Sequence, residues 1–179
     1  MIRNQLLHDL QEYGKSNYIT AEEQATLAQF IRFVKDNPQC FERSNSGHIT
    51  ASAWIISPDG KHTLLTHHRK LNNWFQLGGH NDGNINCAHV ALQEAQEESG
   101  LQEFTFLLPT IFDIDIHAIP NTCAFHYDVR YLLQAVDANY AISYESLDLA
   151  WVPFDKIGEY STERSVVRMH EKFMALALE

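Results

Sequence analysis

The sequence predicts a mixed α/β (α+β) protein in which a mixed β-sheet lies between helices, with a helical extension at the N-terminus. Three observations predict it. Apolar residues recur at helical spacing over the first 47 positions and switch to strand-like patterning from Ile49 onward. One helical stretch, 86–99, then interrupts the strands, and another, about 162–178, closes the chain. That order of helices, strands, helix, strands and helix is not the regular strand–helix alternation of a barrel.

Taken in order, Ile2, Leu6, Leu7 and Leu10 share one face of a first helix that Gly14 ends. Thr20 and Glu23 have capping-box spacing, in which each side chain satisfies a backbone N–H of the other residue. Leu27, Phe30, Ile31 and Val34 supply the stripe of the second helix, and Pro38 stops it. A strand over 49–57 and a returning strand over 61–66 flank the turn Ser57-Pro58-Asp59-Gly60. A short apolar strand over 74–77 leads into Gly78-Gly79. The 86–99 helix ends at Gly100, placed for a left-handed C-terminal position. Strands follow at 105–115, 126–135 and 150–152. In the last helix Val166, Val167, Met169, Phe173 and Leu176 are available to pack. Residues 1–47 form the extension and 48–179 the main domain.

Composition narrows the partners. The 179 residues carry 23 acidic and 13 basic side chains, a formal net charge of −10, and 45% are hydrophobic. Such a chain can bury a core, and its length suits one domain with a small addition. The acidic balance argues against a stable nucleic-acid complex, which needs clustered Lys and Arg. Cys40, Cys87 and Cys123 are sparse and form no CxxC pair, as in proteins kept reduced. No apolar run approaches the ~20 residues of a membrane span. The N-terminal stretch lacks the apolar segment of a signal peptide. These features predict a cytoplasmic protein without membrane attachment.

The chemistry concentrates in 78–101, GGHNDGNINCAHVALQEAQEESGL. Glu94, Glu97 and Glu98 stand at i, i+3 and i+4, so a helix presents them on one face, with Ala88, Ala91 and Ala95 on a neighbouring face that can approach the sheet. Adjacent like charges repel, and a hard divalent cation removes that cost by taking carboxylate oxygens as ligands. Three glutamates alone more often form a solvated acidic face. The glycine-rich loop entering the helix at fixed spacing is the more specific feature.

This stretch resembles the Nudix hydrolase signature, G-x5-E-x7-R-E-U-x-E-E-x-G-U, where U is aliphatic. Counting from Gly79, the match includes Gly79, Glu94, Glu97, Glu98, Gly100 and Leu101, with Ala95 at the first U. Ile85 stands where Glu is expected and Gln93 where Arg is expected, so an ion pair bracing loop to helix is replaced by apolar and amide groups. Asp82, inside the loop, can supply some of the missing negative charge. The segment SYESLDLAWVPFDKI, with Glu145 and Trp151, resembles the late acidic loop and Trp-bearing strand of the family. Together with THHRKLNNWFQLGGH, FDIDIHAIP and HYDVRYLL, it is similar to a bacterial branch of that family. The resemblance covers roughly residues 48–160.

The resemblance implies a Nudix-type α/β/α sandwich. It implies hydrolysis of a nucleoside diphosphate linked to another group X, giving a nucleoside monophosphate and phospho-X. It also implies Mg²⁺, with Mn²⁺ as substitute, held by Glu94, Glu98, Glu97 and the carbonyl of Gly78. Glu97, Glu98 and Glu145 are the catalytic candidates, with Glu97 and Glu145 competing as the base. Arg69 is a candidate for a distal phosphate, Phe75 for stacking a base, and His80 for a phosphate or metal-bound water. Trp74 and Phe75 alternate faces, so one faces a pocket and the other joins the core. Two other readings compete with catalysis at the glutamates. One is a Nudix-like domain that binds a nucleotide or metabolite without cleaving it, favoured by Ile85 and Gln93. The other is a zinc-dependent hydrolase using some of the ten histidines, although HxH and HExxH spacings are absent. Asp113, Asp115 and His117 share one strand face, which lines the pocket or meets solvent, and His126 is a candidate strand-borne zinc ligand beside them. The N-terminal helices are candidates for a lid or a homodimer surface.

Overall fold

The computed structural model describes residues 3–43, 47–119, 121–122, 124–144 and 146–177. Ile2, Cys123 and Glu145 lie outside the described residues. Helix α1 (Asn4–Tyr13) and helix α2 (Ala21–Asp36) come first. The capping box of α2 forms as the sequence predicts, with Thr20 and Glu23 each bonded to the other's backbone N–H. Leu6, Leu10, Leu27, Phe30 and Val34 bury the facing stripes.

The sheet contains β1 (His48–Ile56), β2 (His62–His68), β3 (Asn73–Phe75), β4 (Leu77–His80), β5 (Phe104–Phe106), β6 (Asp113–Ala118), β7 (Phe125–Ala135) and β8 (Ser146–Pro153). Strand β1 is buried along its whole length and pairs in parallel with β7, His48 beside His126 through Ile56 beside Gln134. Strands β1 and β2 meet at Ile56 and Thr63 beside their turn and then take separate partners, β4 for β1 and β3 for β2. Strand β8 covers the other side of β2. Both β5 and β6 pair antiparallel with β7, at opposite ends of it.

Helix α3 (Cys87–Ser99) begins at Asn86, whose side chain accepts from the His89 N–H, and ends at Gly100 with φ 73°. The helix lies across β1 and β4, and Ala91 and Ala95 are fully buried beneath it. Helices α1 and α2 share a core cluster with α3 and with Ile49, Ala51, Ile114, Val129 and Tyr131. On the other face, α4 (Ile157–Tyr160) and α5 (Arg164–Leu176) pack over Trp54, Leu65, Leu132 and Val152.

Two expectations need correction. The strand predicted over 105–115 is two strands, because the chain between them leaves the β7 ladder. Only the Leu107 N–H, to the Leu132 carbonyl, and the Phe112 N–H, to the Arg130 carbonyl, tie the ends of that excursion to β7. Pro109, which has no N–H to give a ladder, lies within it. The second concerns Asp113, Asp115 and His117, which do share a face. Asp113, however, is completely buried, so that face neither lines a pocket nor meets solvent along its whole length.

Asp113 sits in a buried ionic network. Its carboxylate accepts from Lys172 Nζ at 2.6 Å, Arg130 Nη1 at 3.0 Å and Arg168 Nη2 at 2.7 Å. Lys172 also bonds Glu23 and the Tyr13 hydroxyl, which in turn donates to Glu23. Burial raises the Asp113 pKa, but Lys172, Arg130 and Arg168 more than offset this and hold it down at about 2. Because the folded pKa lies below the unfolded one of ~3.9, the contribution to stability is complete above that value and is lost as pH falls towards 2. Asp113→Asn is expected to lower unfolding free energy by about 3–5 kcal/mol at neutral pH, since it strands buried cations. Denaturant titrations at several pH values should also show a shallower acid loss in the variant.

Candidate functional site

Strand β4 passes between β1 and α3 with no room for side chains at its two glycines. A Cβ on Gly78 would overlap the Ser52 side chain and lie 2.6 Å from Ser52 Cα and 2.7 Å from the Ala51 carbonyl oxygen. One on Gly79 would run into the Glu94 carboxylate. The Gly78 N–H donates to Glu98 Oε1 at 2.8 Å. Glu94 and Glu98, one helical turn apart, are therefore both brought against the glycine strand. They are half-buried, whereas Glu97 points outward and is exposed.

Gln93, where the signature has Arg, donates from Nε2 to Glu97 Oε1 at 2.7 Å and so orients that carboxylate. Ile85, where the signature has Glu, is 45% exposed and lines a surface cavity with Leu6, Cys87 and Ile111. The two departures act separately in the structure. Asp82, expected to add negative charge, is paired with Arg43, which precedes β1, through two contacts of 2.6 and 2.7 Å. That pairing lowers its pKa. Sequence reasoning missed Arg43, because nothing local links position 43 to the loop.

Arg69 is committed to the backbone on either side of position 145. Its Nε donates to the Tyr144 carbonyl at 3.2 Å and its Nη2 to the Ser146 carbonyl at 2.9 Å. The candidate Glu145 itself lies outside the described residues. Trp151 donates its indole N–H to the Ala138 carbonyl. Phe75 and Trp74 are both half-buried and both pack on the core cluster beneath α5, which corrects the expectation that only one of them joins the core. The β3 strand that carries them has only three residues.

His80 is one residue beyond Gly79, so strand alternation turns it to the face away from Glu94. There its ring lies 5.0 Å from that of His48 and 5.1 Å from that of His126. Sequence reasoning missed His48, which only the parallel register of β1 and β7 places beside His126. Nearby, Asp128 accepts from Thr50, Ser52 and Arg130, at 2.9, 2.8 and 2.8 Å. Burial, then the neighbouring His117, His80 and His48, push His126 down to about 4.

No family model matches the chain, and no curated protein matches it. Solved structures do. A NUDIX-family hydrolase from Clostridium perfringens is 22% identical, with a TM-score of 0.61 over 72% of this chain and 97% of that one. A C. elegans Ap4A hydrolase binary complex is 16% identical, with a TM-score of 0.65 over 73% and 97%. The chain has the Nudix fold. A third similar structure, the NUDIX domain of Shewanella oneidensis NrtR complexed with ADP ribose, is 13% identical, with a TM-score of 0.56 over 82% and 97%. Within the Nudix fold of this chain, the glycine strand and the three glutamates occupy the signature region found in the sequence. The carboxylate oxygens of Glu94 and Glu98 beside this strand are hard donors, the type that suits Mg²⁺ or Mn²⁺.

The two glycines differ in what surrounds them, and the difference is measurable. Gly78→Ala is expected to cost about 3 kcal/mol or more, because a methyl there meets backbone that cannot yield. Gly79→Ala meets only the end of a flexible side chain and is expected to change stability by less than about 1 kcal/mol. Thermal unfolding of the two variants checks this contrast.

Proposed function

We propose that the protein is a metal-dependent hydrolase of a nucleoside diphosphate linked to another group, releasing a nucleoside monophosphate and phospho-X. The observation that carries this reading is the seating of Glu94 and Glu98 on the Gly78-Gly79 strand within a Nudix fold. Two similar structures also concern compounds with phosphate anhydride bonds, Ap4A and ADP ribose.

In this reading Glu94 and Glu98 hold the divalent cation, with the Gly78 carbonyl as a further oxygen donor. When bound, Mg²⁺ offsets the charge of the diphosphate, acidifies a coordinated water and stabilises the leaving phosphate. Glu97, oriented by Gln93, is placed on the solvent side to accept a proton from the attacking water, a role for which Glu145 competes. Arg69 fixes the loop carrying Glu145 through the carbonyls at 144 and 146, and its remaining guanidinium N–H can meet a distal phosphate. Phe75, half-buried on β3, supplies an aromatic face for a base, whereas His80, expected at a phosphate or metal-bound water, faces away from Glu94 and has no part in this reading. The substrate is a small nucleotide-type molecule.

A second reading, binding without cleavage, is favoured by one observation. Gln93 carries no charge, and Ile85, exposed at the loop, cannot pair with it.

A panel of nucleotide sugars, dinucleotides, NADH, ADP ribose and nucleoside triphosphates, assayed for phosphate products with Mg²⁺ or Mn²⁺, tests both readings. Glu98→Gln keeps an acceptor for the Gly78 N–H but loses the charge, and is expected to lower turnover roughly 100-fold or more. Saturable binding of one compound with no metal-dependent turnover of any of them would establish the second reading instead.

A further inference from the structure

We propose that His48, His80 and His126 form a binding site for one borderline divalent transition-metal ion, of which Zn²⁺ is the type, on the sheet face opposite the carboxylate helix. The three residues come from β1, β4 and β7, and one ligand atom from each lies within 4.8 Å of the other two. Tetrahedral Zn–N bonds of about 2.0–2.1 Å set nitrogens about 3.4 Å apart, so modest ring rotations close the set. Imidazole nitrogens suit Zn²⁺, Co²⁺, Ni²⁺ and Cu²⁺, whereas Mg²⁺ prefers oxygen donors. The site thus differs in chemistry from the glutamate cluster and does not depend on the hydrolase reading.

The hydrogen bonds behind the cluster point the same way. Asp115, itself bonded by Arg168 and close to Arg130, can only accept, so His117 donates to it from Nδ1 over 3.1 Å. A neutral His117 then presents Nε2 as an acceptor, 3.3 Å from His126 Nδ1, which must donate. This relay leaves the lone pair of His126 on Nε2. That atom is buried and, among the described residues, has no hydrogen-bond partner. A carboxylate holding a ligand imidazole in its metal-binding tautomer is the usual outer support of a zinc site, here extended by one histidine. His48, nine-tenths buried, completes a near-equilateral triangle of rings, 5.0 Å from that of His80 and 4.8 Å from that of His126. Three protein nitrogens leave a fourth position for water or for an anionic group.

The full-length chain, stripped with a chelator, is titrated with Zn²⁺ in competition with a chromophoric chelator and in the presence of excess Mg²⁺. Thermal unfolding is followed in parallel. The expected result is one equivalent bound per chain, not displaced by Mg²⁺, with a metal-dependent rise in Tm. Co²⁺ in place of Zn²⁺ should give the visible spectrum of a four-coordinate site. His126→Gln should abolish the stoichiometric binding. The exposed His117→Ala, which leaves all three ligands in place, should weaken it about 10-fold or more by removing the relay. His8→Gln, on α1 and outside the cluster, should change nothing. If His126→Gln does not fold, His117→Ala decides. The proposal is overturned if wild-type protein binds no Zn²⁺ beyond what the histidine variants retain. It is equally overturned if binding disappears in Glu94→Gln or Glu98→Gln and survives in the histidine variants.

Discussion

Everything at the centre of this protein depends on how closely strand β4 approaches β1 on one side and α3 on the other. Gly78 lies against the Ser52 backbone, where no methyl group fits, and Gly79 against the Glu94 carboxylate, which a methyl group would push aside. That closeness lets a backbone N–H reach Glu98 and brings two carboxylates of one helix down onto a strand. The short segment also has two chemical faces. Its glycines serve the carboxylates, and the next residue, His80, faces the imidazoles of His48 and His126.

A second constraint runs through the buried charges. Glu23 of α2, Lys172 and Arg168 of α5, Asp113 and Asp115 of β6 and Arg130 of β7 form a connected set, much of it out of contact with solvent. Buried ion pairs add little net stability over well-packed apolar groups, but they penalise any arrangement that leaves one member unpaired. Here they fix how α2 and α5 meet at the β6 edge. The same set ends at Asp115, which orients His117 and, through it, His126. Packing of the outer helices is thereby coupled to the geometry of the histidine cluster.

The carboxylate site was legible because its parts are neighbours in sequence. Helical periodicity alone sets Glu94 and Glu98 one turn apart on a common face with Glu97 at its exposed side, and Gly100 ends the helix with the positive φ that glycine accepts without strain. The capping box of α2 is local in the same way. Arg43 was not legible, since its partner Asp82 is 39 positions away and lies beside it only in the folded chain. Nor was the break between β5 and β6, because the alternation of 105–115 is compatible with one strand, and only pairing with the two ends of β7 divides it.

By itself, the sequence determined the mixed α/β class, the order of the main elements, the carboxylate helix and the glycines beside it. Each of these rests on residues within a turn or two of one another, where backbone geometry fixes what comes together. Tertiary structure alone decided that Gln93 turns to Glu97, that Arg69 holds the backbone around position 145 and that Asp113 is interior. It also decided that three histidines spaced 32 and 46 residues apart form one cluster. The reason is register: the parallel pairing of β1 with β7 and the antiparallel pairing of β1 with β4 set which distant residues share a face, and local periodicity carries no record of that choice.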